Sequence, residues 1–248
     1  MFVRDIICFS LSMIFFSGAC LSHKRINLYL MGDSTMADKP LQDNPERGWG
    51  QLLRQFFNDD IQIHNHARNG RSTKSFINEG RWQSVYDSVQ AGDYVLIQFG
   101  HNDQKESDST RYADPYGAYN KNLLMFVADL RSKGAKPVLL TPIVRRKFDE
   151  QGNFTESHGV YPDVVRDIAR QLDVPLIDMY KLSRELVAGE GAESSKKIYL
   201  WVEPGQYAVF PQGKQDNTHF TEYGARQMAA LVVGQLKVLN LELKNYLR

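Results

Sequence analysis

The amino-acid sequence predicts an α/β fold in three layers, with a five-stranded parallel sheet between helices on both faces. Three observations carry this. Five short apolar runs, at residues 26–31, 61–66, 94–99, 137–143 and 174–179, are mostly continuous rather than alternating, as in strands covered on both sides. The segments between them place apolar residues at helical spacing, so strand and helix alternate as parallel crossover connections require. At 248 residues, 42% of them hydrophobic, the chain can bury a substantial core.

The first run, INLYLM, breaks into Gly32-Asp33-Ser34. These are turn residues, but they also present a serine where a strand hands over to the next segment. Residues 48–57 read as a helix. The run at 61–66 leads into Ala67-Arg68-Asn69-Gly70-Arg71-Ser72, where Asn-Gly signals a turn, and a short helix follows at 81–89. The third run ends in Gly100-His101-Asn102-Asp103. A longer helix over 116–132 carries Leu123, Leu124, Phe126, Val127 and Leu130 at helical spacing. The last two runs flank a helix at 160–172, and a helix over 222–246 closes the chain. Residues 104–115 and 181–215 fit neither period and read as polar loops. With no repeat, linker or low-complexity segment in the sequence, a single domain is expected.

Lysine and arginine number 30 against 29 acids, a balance that disfavours a large nucleic-acid-binding surface. At the N-terminus, Arg4 precedes an apolar stretch at 6–16 and then Ser17-Gly18-Ala19-Cys20. Residues 1–19 thus read as a secretory signal, too short for a spanning helix. Cleavage after Ala19 would make Cys20 the first mature residue. That resembles a bacterial lipoprotein signal with a lipid anchor at Cys20, although an aliphatic residue is usual where Ser17 stands and Asp5 is unusual in the charged region. The protein is therefore expected to be secreted or held at the bacterial cell envelope. Cys8 and Cys20 are the only cysteines, so residues 21–248 have no thiol nucleophile, internal disulfide or cysteine metal site.

Ligands in open parallel sheets bind beyond the carboxyl ends of the strands. The residues at those ends, with Asp216-Asn217-Thr218-His219 before the last helix, supply the parts of acyl transfer. A serine needs a base to take its proton, and an imidazole needs a carboxylate to fix its tautomer. Asp216 and His219 are three residues apart, expected on a tight loop where the carboxylate reaches the ring. A developing oxyanion needs preorganised donors, which the backbone N–H groups of Ser34 and Gly70 and the side chain of Asn102 could supply. Each piece alone is also ordinary turn or cap chemistry.

Gly32-Asp33-Ser34, Gly70, Gly100-His101-Asn102-Asp103 and Asp216-Asn217-Thr218-His219 together resemble the four sequence blocks of the SGNH (GDSL-like) hydrolases. The resemblance covers nearly the whole of residues 20–248, the expected hydrolase domain. It implies a flavodoxin-like arrangement of the three layers. It also implies Ser34 as nucleophile, His219 as general base, Asp216 as its orienting carboxylate, and Ser34, Gly70 and Asn102 as the oxyanion hole, with no cofactor. Longer strings, GRSTKSFINEGRW at 70–82, QFGHNDQK at 98–105, TPIVRRKF at 141–148, HGVYPDVVRDIA at 158–169 and DNTHFTEYGA at 216–225, are similar to the rhamnogalacturonan acetylesterase group. That similarity implies removal of O-acetyl groups from a pectic polysaccharide through an acetyl-serine intermediate.

For the substrate, Arg71 and Arg145 would favour an anionic sugar polymer, His158 lies in a family-like block, and Trp201 could stack on a sugar ring. Basic loops and aromatics are equally ordinary surface and core features. His64 and His66 share one face of a strand, but no third ligand is near in sequence, and no metal site is expected. Same-fold alternatives are an acetyl-xylan esterase or a lipid esterase. A non-catalytic carbohydrate-binding protein is the alternative from another class, separated by the effect of Ser34→Ala on ester hydrolysis. The sequence leaves the oligomeric state open.

Overall fold

The computed structural model describes residues 26–239 and 241–248, so the expected signal at 1–19 and the anchor site Cys20 lie outside the described residues. The chain enters on β1 (Ile26–Gly32), passes a two-residue strand, β2 (Glu46–Arg47), and a short helix, α1 (Trp49–Leu53), then lays down β3 (Ile61–Asn65). Helices α2 (Thr73–Asn78) and α3 (Arg81–Ser88) lead to β4 (Tyr94–Gln98), and α4 (Asn120–Ser132) to β5 (Lys136–Leu140). After α5 (Tyr161–Gln171) come β6 (Leu176–Ile177), α6 (Met179–Ser194), β7 (Tyr199–Val202), β8 (Lys214–Thr221) and α7 (Glu222–Val238).

Strands β3-β1-β4-β5-β6 form the predicted five-stranded sheet, parallel throughout. Because side chains alternate along a strand, β1 feeds both layers. Leu28 and Leu30 pack towards α1 and α7, with Trp49, Met228 and Val232, while Tyr29 and Met31 pack with Phe76, Trp82, Phe126 and Val165 from α2 to α5. Burial on both faces explains why β1 reads as a continuous apolar run. The chain moves outward from β1 to β3 and then crosses back to β4, so the strand order switches beside β1. Crevices open at such switch points, beyond the carboxyl ends.

The structure corrects the reading of 181–215 as loop. It holds most of α6 and all of β7, and β2-β8-β7 form a second, antiparallel sheet. Gly189 and Gly191, the latter at φ +77°, break the helical pattern that would have revealed α6. α2 was missed because it spans only six residues. Its N-cap is a reciprocal box in which Ser75 stands where a glutamate or glutamine is usual. The last predicted helix ends at Val238, and Glu242–Tyr246 is a separate 3-10 turn.

Candidate active site

Ser34 lies two residues beyond the end of β1, in a turn organised by its neighbour. Asp33 is fully buried and accepts at Oδ1 from the N–H (2.9 Å) and hydroxyl (2.8 Å) of Thr35, while its carbonyl receives the Ala37 N–H at 3.1 Å. Its Oδ2 meets Nδ1 of His101 at 3.1 Å. Burial would raise this carboxyl, but the His101 and Thr35 contacts outweigh it and hold it at about 2. Burial pushes His101 below its ordinary value, against the pull of Asp33, so a neutral ring donates its Nδ1–H to a carboxylate. The turn thus locks the serine in place while leaving its hydroxyl at the cleft, where Ser34 is 7% exposed.

His219 and Asp216 arrive from the antiparallel sheet rather than from a tight loop between elements. Pairing runs from Tyr199↔Phe220 to Trp201↔Gln215, so β8 advances five residues while β7 advances two. The surplus bulges out of the ladder and carries Asp216 to His219 towards Ser34. His219 Nε2 lies 2.9 Å from Ser34 Oγ, and its Nδ1 lies 2.8 Å from Asp216 Oδ2. Since a carboxylate offers no proton, Nδ1–H donates to Asp216 and Nε2 accepts from the serine hydroxyl. Asp216 Oδ1 also accepts from the N–H groups of Thr218 (2.7 Å) and His219 (3.0 Å). Partial burial works against ionisation of Asp216, but the His219 contact and these N–H groups hold it well below the usual carboxylate range.

The predicted oxyanion donors line the same cleft. Among the described residues the N–H groups of Ser34 and Gly70 donate to no acceptor. Asn102 Nδ2 donates to Arg71 O at 3.1 Å, which orients the amide and leaves its second N–H. Gly70 sits in a turn closed by Arg71 N–H on Arg68 O, with φ at +76°. An added Cβ would meet nothing closer than Arg111 Nη1 at 3.7 Å, so the backbone conformation demands glycine here, not crowding.

The other expected binding residues are placed differently from one another. Arg145 lines the cleft. Arg71 borders an adjoining hollow across Gly70, paired with Glu79 at 2.9 Å. His158 lies behind the wall, 2% exposed, with Nδ1 on Gln104 Oε1 (2.7 Å) and Nε2 on Ile143 O (2.8 Å), so neither nitrogen is free. Trp201 stands outside the cleft, its ring covered by Arg146 and Lys196 and its Nε1–H on Asn217 Oδ1 at 3.0 Å. His64 stacks on Tyr29 at 4.7 Å and meets Asn27 Oδ1 at 3.1 Å; among the described residues no group of three His, Cys, Asp or Glu could hold a metal. The Asp33–His101 pair, 68 residues apart, was not foreseen, because acyl transfer calls for one imidazole–carboxylate pair and assigns no role to a second. Nor was Lys105, which lines the cleft; its only sequence signal is its place at the end of QFGHNDQK.

A serine, an imidazole and a carboxylate in one hydrogen-bonded line, beside free backbone donors on the carboxyl edge of a three-layer sheet, place this chain among the ester-hydrolysing α/β enzymes. Comparison with known proteins makes the class specific. The family model for GDSL-like Lipase/Acylhydrolase matches residues 28–232, and the chain belongs to that family. It is 42% identical over 224 residues to the rhamnogalacturonan acetylesterase RhgT of Bacillus subtilis (strain 168), covering 90% of this chain and 95% of RhgT. It is 36% identical over 217 residues to YesY of the same organism, described as a probable rhamnogalacturonan acetylesterase, covering 88% of this chain and 95% of YesY. The crystal structure of Bacillus subtilis YxiM superposes with a TM-score of 0.76 at 24% identity, over 88% of this chain and 58% of that one, which shows the shared fold.

Proposed function

We propose that the protein is a secreted serine esterase that removes O-acetyl groups from acetylated rhamnogalacturonan. The observation that carries the chemistry is the line from Ser34 through His219 to Asp216, at 2.9 and 2.8 Å. The substrate rests on the likeness to RhgT and YesY. The cleft, of about 370 Å³, supports it, being lined by polar and charged side chains with Phe210 as its aromatic member. Such a lining suits a small acyl group on a sugar and offers little to a long acyl chain. Secretion rests on the pattern of residues 1–19.

In this reading Ser34 Oγ attacks the acetyl carbonyl carbon as its proton passes to His219 Nε2. The carbonyl oxygen becomes negative in reach of the Ser34 and Gly70 N–H groups and the free N–H of Asn102. His219, now an imidazolium stabilised by Asp216, protonates the departing sugar oxygen, and the C–O bond breaks to leave acetyl-Ser34. Water then attacks the acetyl group, giving its proton to His219. Collapse releases acetate and returns that proton to Ser34.

The test is acetate release from acetylated rhamnogalacturonan, acetylated xylan and an aryl acetate. The pectic polymer should give the highest kcat/KM, and Ser34→Ala should abolish all three activities while leaving the unfolding transition in place. Equal rates on the two polymers would remove the pectic assignment, and undiminished hydrolysis by Ser34→Ala would remove the nucleophile.

A further inference from the structure

The cleft holds more positive charge than its own side chains neutralise. Of its two carboxylates, Glu46 pairs with Lys39 at 2.7 Å, and Asp216, hydrogen-bonded to His219 at 2.8 Å, has the third cation of the lining, Lys214, at 4.0 Å. Lys105 and Arg145, in the opposite condition, have no carboxylate in direct contact among the described residues. The half-buried Lys105 makes no side-chain hydrogen bond or ion pair among the described residues. Arg145 donates from Nη2 to His101 O at 3.2 Å, but its Nη1 is buried without a partner and it forms no ion pair among those residues. Burial lowers the pKa of both; for Lys105 the charges of Arg111 and Arg145 add to that effect, and the more distant carboxylates Asp33 and Asp108 for Lys105, Asp33 and Asp216 for Arg145, offset it only in part. Two cations close together in a half-buried wall repel each other and lose hydration, costs that an anion between them would offset.

The position matters as much as the charge. Lys105 closes a turn with Asn102, its N–H on Asn102 O at 3.2 Å, and Arg145 holds the carbonyl of His101, the residue before Asn102. Both cations are thus built onto the segment that carries the side-chain oxyanion donor. An anion held there would fix a sugar ring relative to the place where the acetyl carbonyl must sit.

We infer that Lys105 and Arg145 form a carboxylate subsite of the acyl cleft, taking the uronate group of an acidic sugar at or beside the acetylated ring. The identity of the anion rests on the pectic reading above; the excess of positive charge does not. A neutral acetylated polymer such as xylan would leave the subsite empty, which makes it a determinant of specificity.

Inhibition of aryl acetate hydrolysis by unacetylated oligosaccharides reads this subsite without requiring the pectic polymer to be a substrate. Oligogalacturonate should inhibit the wild type roughly tenfold more strongly than a xylo-oligosaccharide of equal length, the factor expected of one charge-assisted contact. Lys105→Gln should remove that difference and Lys105→Arg should restore most of it. Lys237→Gln, exposed at the distal end of α7, should leave it intact. Because the Lys105 side chain has no partner to lose, its variants should fold. Equal inhibition of the wild type by both oligosaccharides, or an unchanged difference in Lys105→Gln, overturns the subsite. If the charge preference holds and follows Lys105, yet no acetate leaves acetylated rhamnogalacturonan, the subsite stands and the pectic reading falls.

Discussion

Ser34 owes any reactivity to side chains that sit far from it in sequence or behind it in space. His219 is 185 residues away and Asp216 holds its ring from the far side. Asp216→Asn keeps the shape but removes the acceptor that forces the proton onto Nδ1, so kcat on any acetyl ester should fall roughly a thousandfold or more with the fold unchanged. Asn102→Ala should cost roughly a hundredfold in kcat, as one donor lost from an oxyanion site. Steady-state kinetics on an aryl acetate reads both, and a loss confined to KM in either variant would contradict the proposed role. Behind the serine, Asp33 and His101 form a second carboxylate–imidazole pair that shapes the turn.

At the scale of elements, the site depends on how closely α7 packs under the bulged strand. Thr221 caps α7 by accepting the Gly224 N–H at 3.1 Å, two residues after His219. A Cβ on Gly224 would lie 1.8 Å from the carbonyl oxygen of Ile198, so Gly224→Ala must push the helix away and should cost about 3 kcal/mol or more. Gly234→Ala, in open space on the same helix, should instead stabilise by about 0.5–1 kcal/mol. Denaturant midpoints compare the two, and equal effects would mean that α7 is free to shift.

A buried carboxyl makes a second link, between the end of β4 and α2. Asp103 Oδ1 accepts from the N–H (2.8 Å) and hydroxyl (2.6 Å) of Thr73, while its Oδ2 is buried without a partner. Burial pushes this carboxyl up to about 7, against the pull of Thr73. In the unfolded chain an aspartate loses its proton near pH ~4. Between those values the folded state keeps a proton that the unfolded chain has lost, so this group's contribution makes stability fall as pH rises through the window and level off above it. Asp103→Asn should flatten that fall in a series of thermal midpoints, and a variant slope equal to that of the wild type would refute it.

For the whole molecule, the two apolar clusters lie on opposite faces of one sheet and share β1, β4 and β5. They should therefore unfold together. Leu30→Ala, on the side of α1 and α7, and Phe126→Ala, on the side of α2 to α5, should each cost about 3–4 kcal/mol and move the same single transition. Two resolved transitions in calorimetry would instead divide the chain into two cooperative units. With a formal net charge of +1, the chain offers little long-range attraction to an acidic polymer, so charge recognition has to be local to the cleft.

The central sheet was legible because its strands are buried on both faces, and continuous apolar runs such as 26–31 record that burial directly. The candidate site residues could be named too: Ser34, Gly70 and Asn102 beyond the ends of central strands, and Asp216 and His219 before the last helix, from turn chemistry, acyl-transfer requirements and the resemblance of their blocks. Short or half-exposed elements left weaker marks. α2 has only six residues, β7 only four, and the strand β7 pairs with, β8, is polar enough to resemble loop. What only the tertiary structure decided is how distant groups meet. The bulge that turns Asp216 and His219 towards Ser34, the Asp33–His101 contact across 68 residues, and the unpartnered Nη1 of Arg145 all depend on packing between separate segments. Periodicity records which face of a segment is buried; it carries no information about which other segment lies against it.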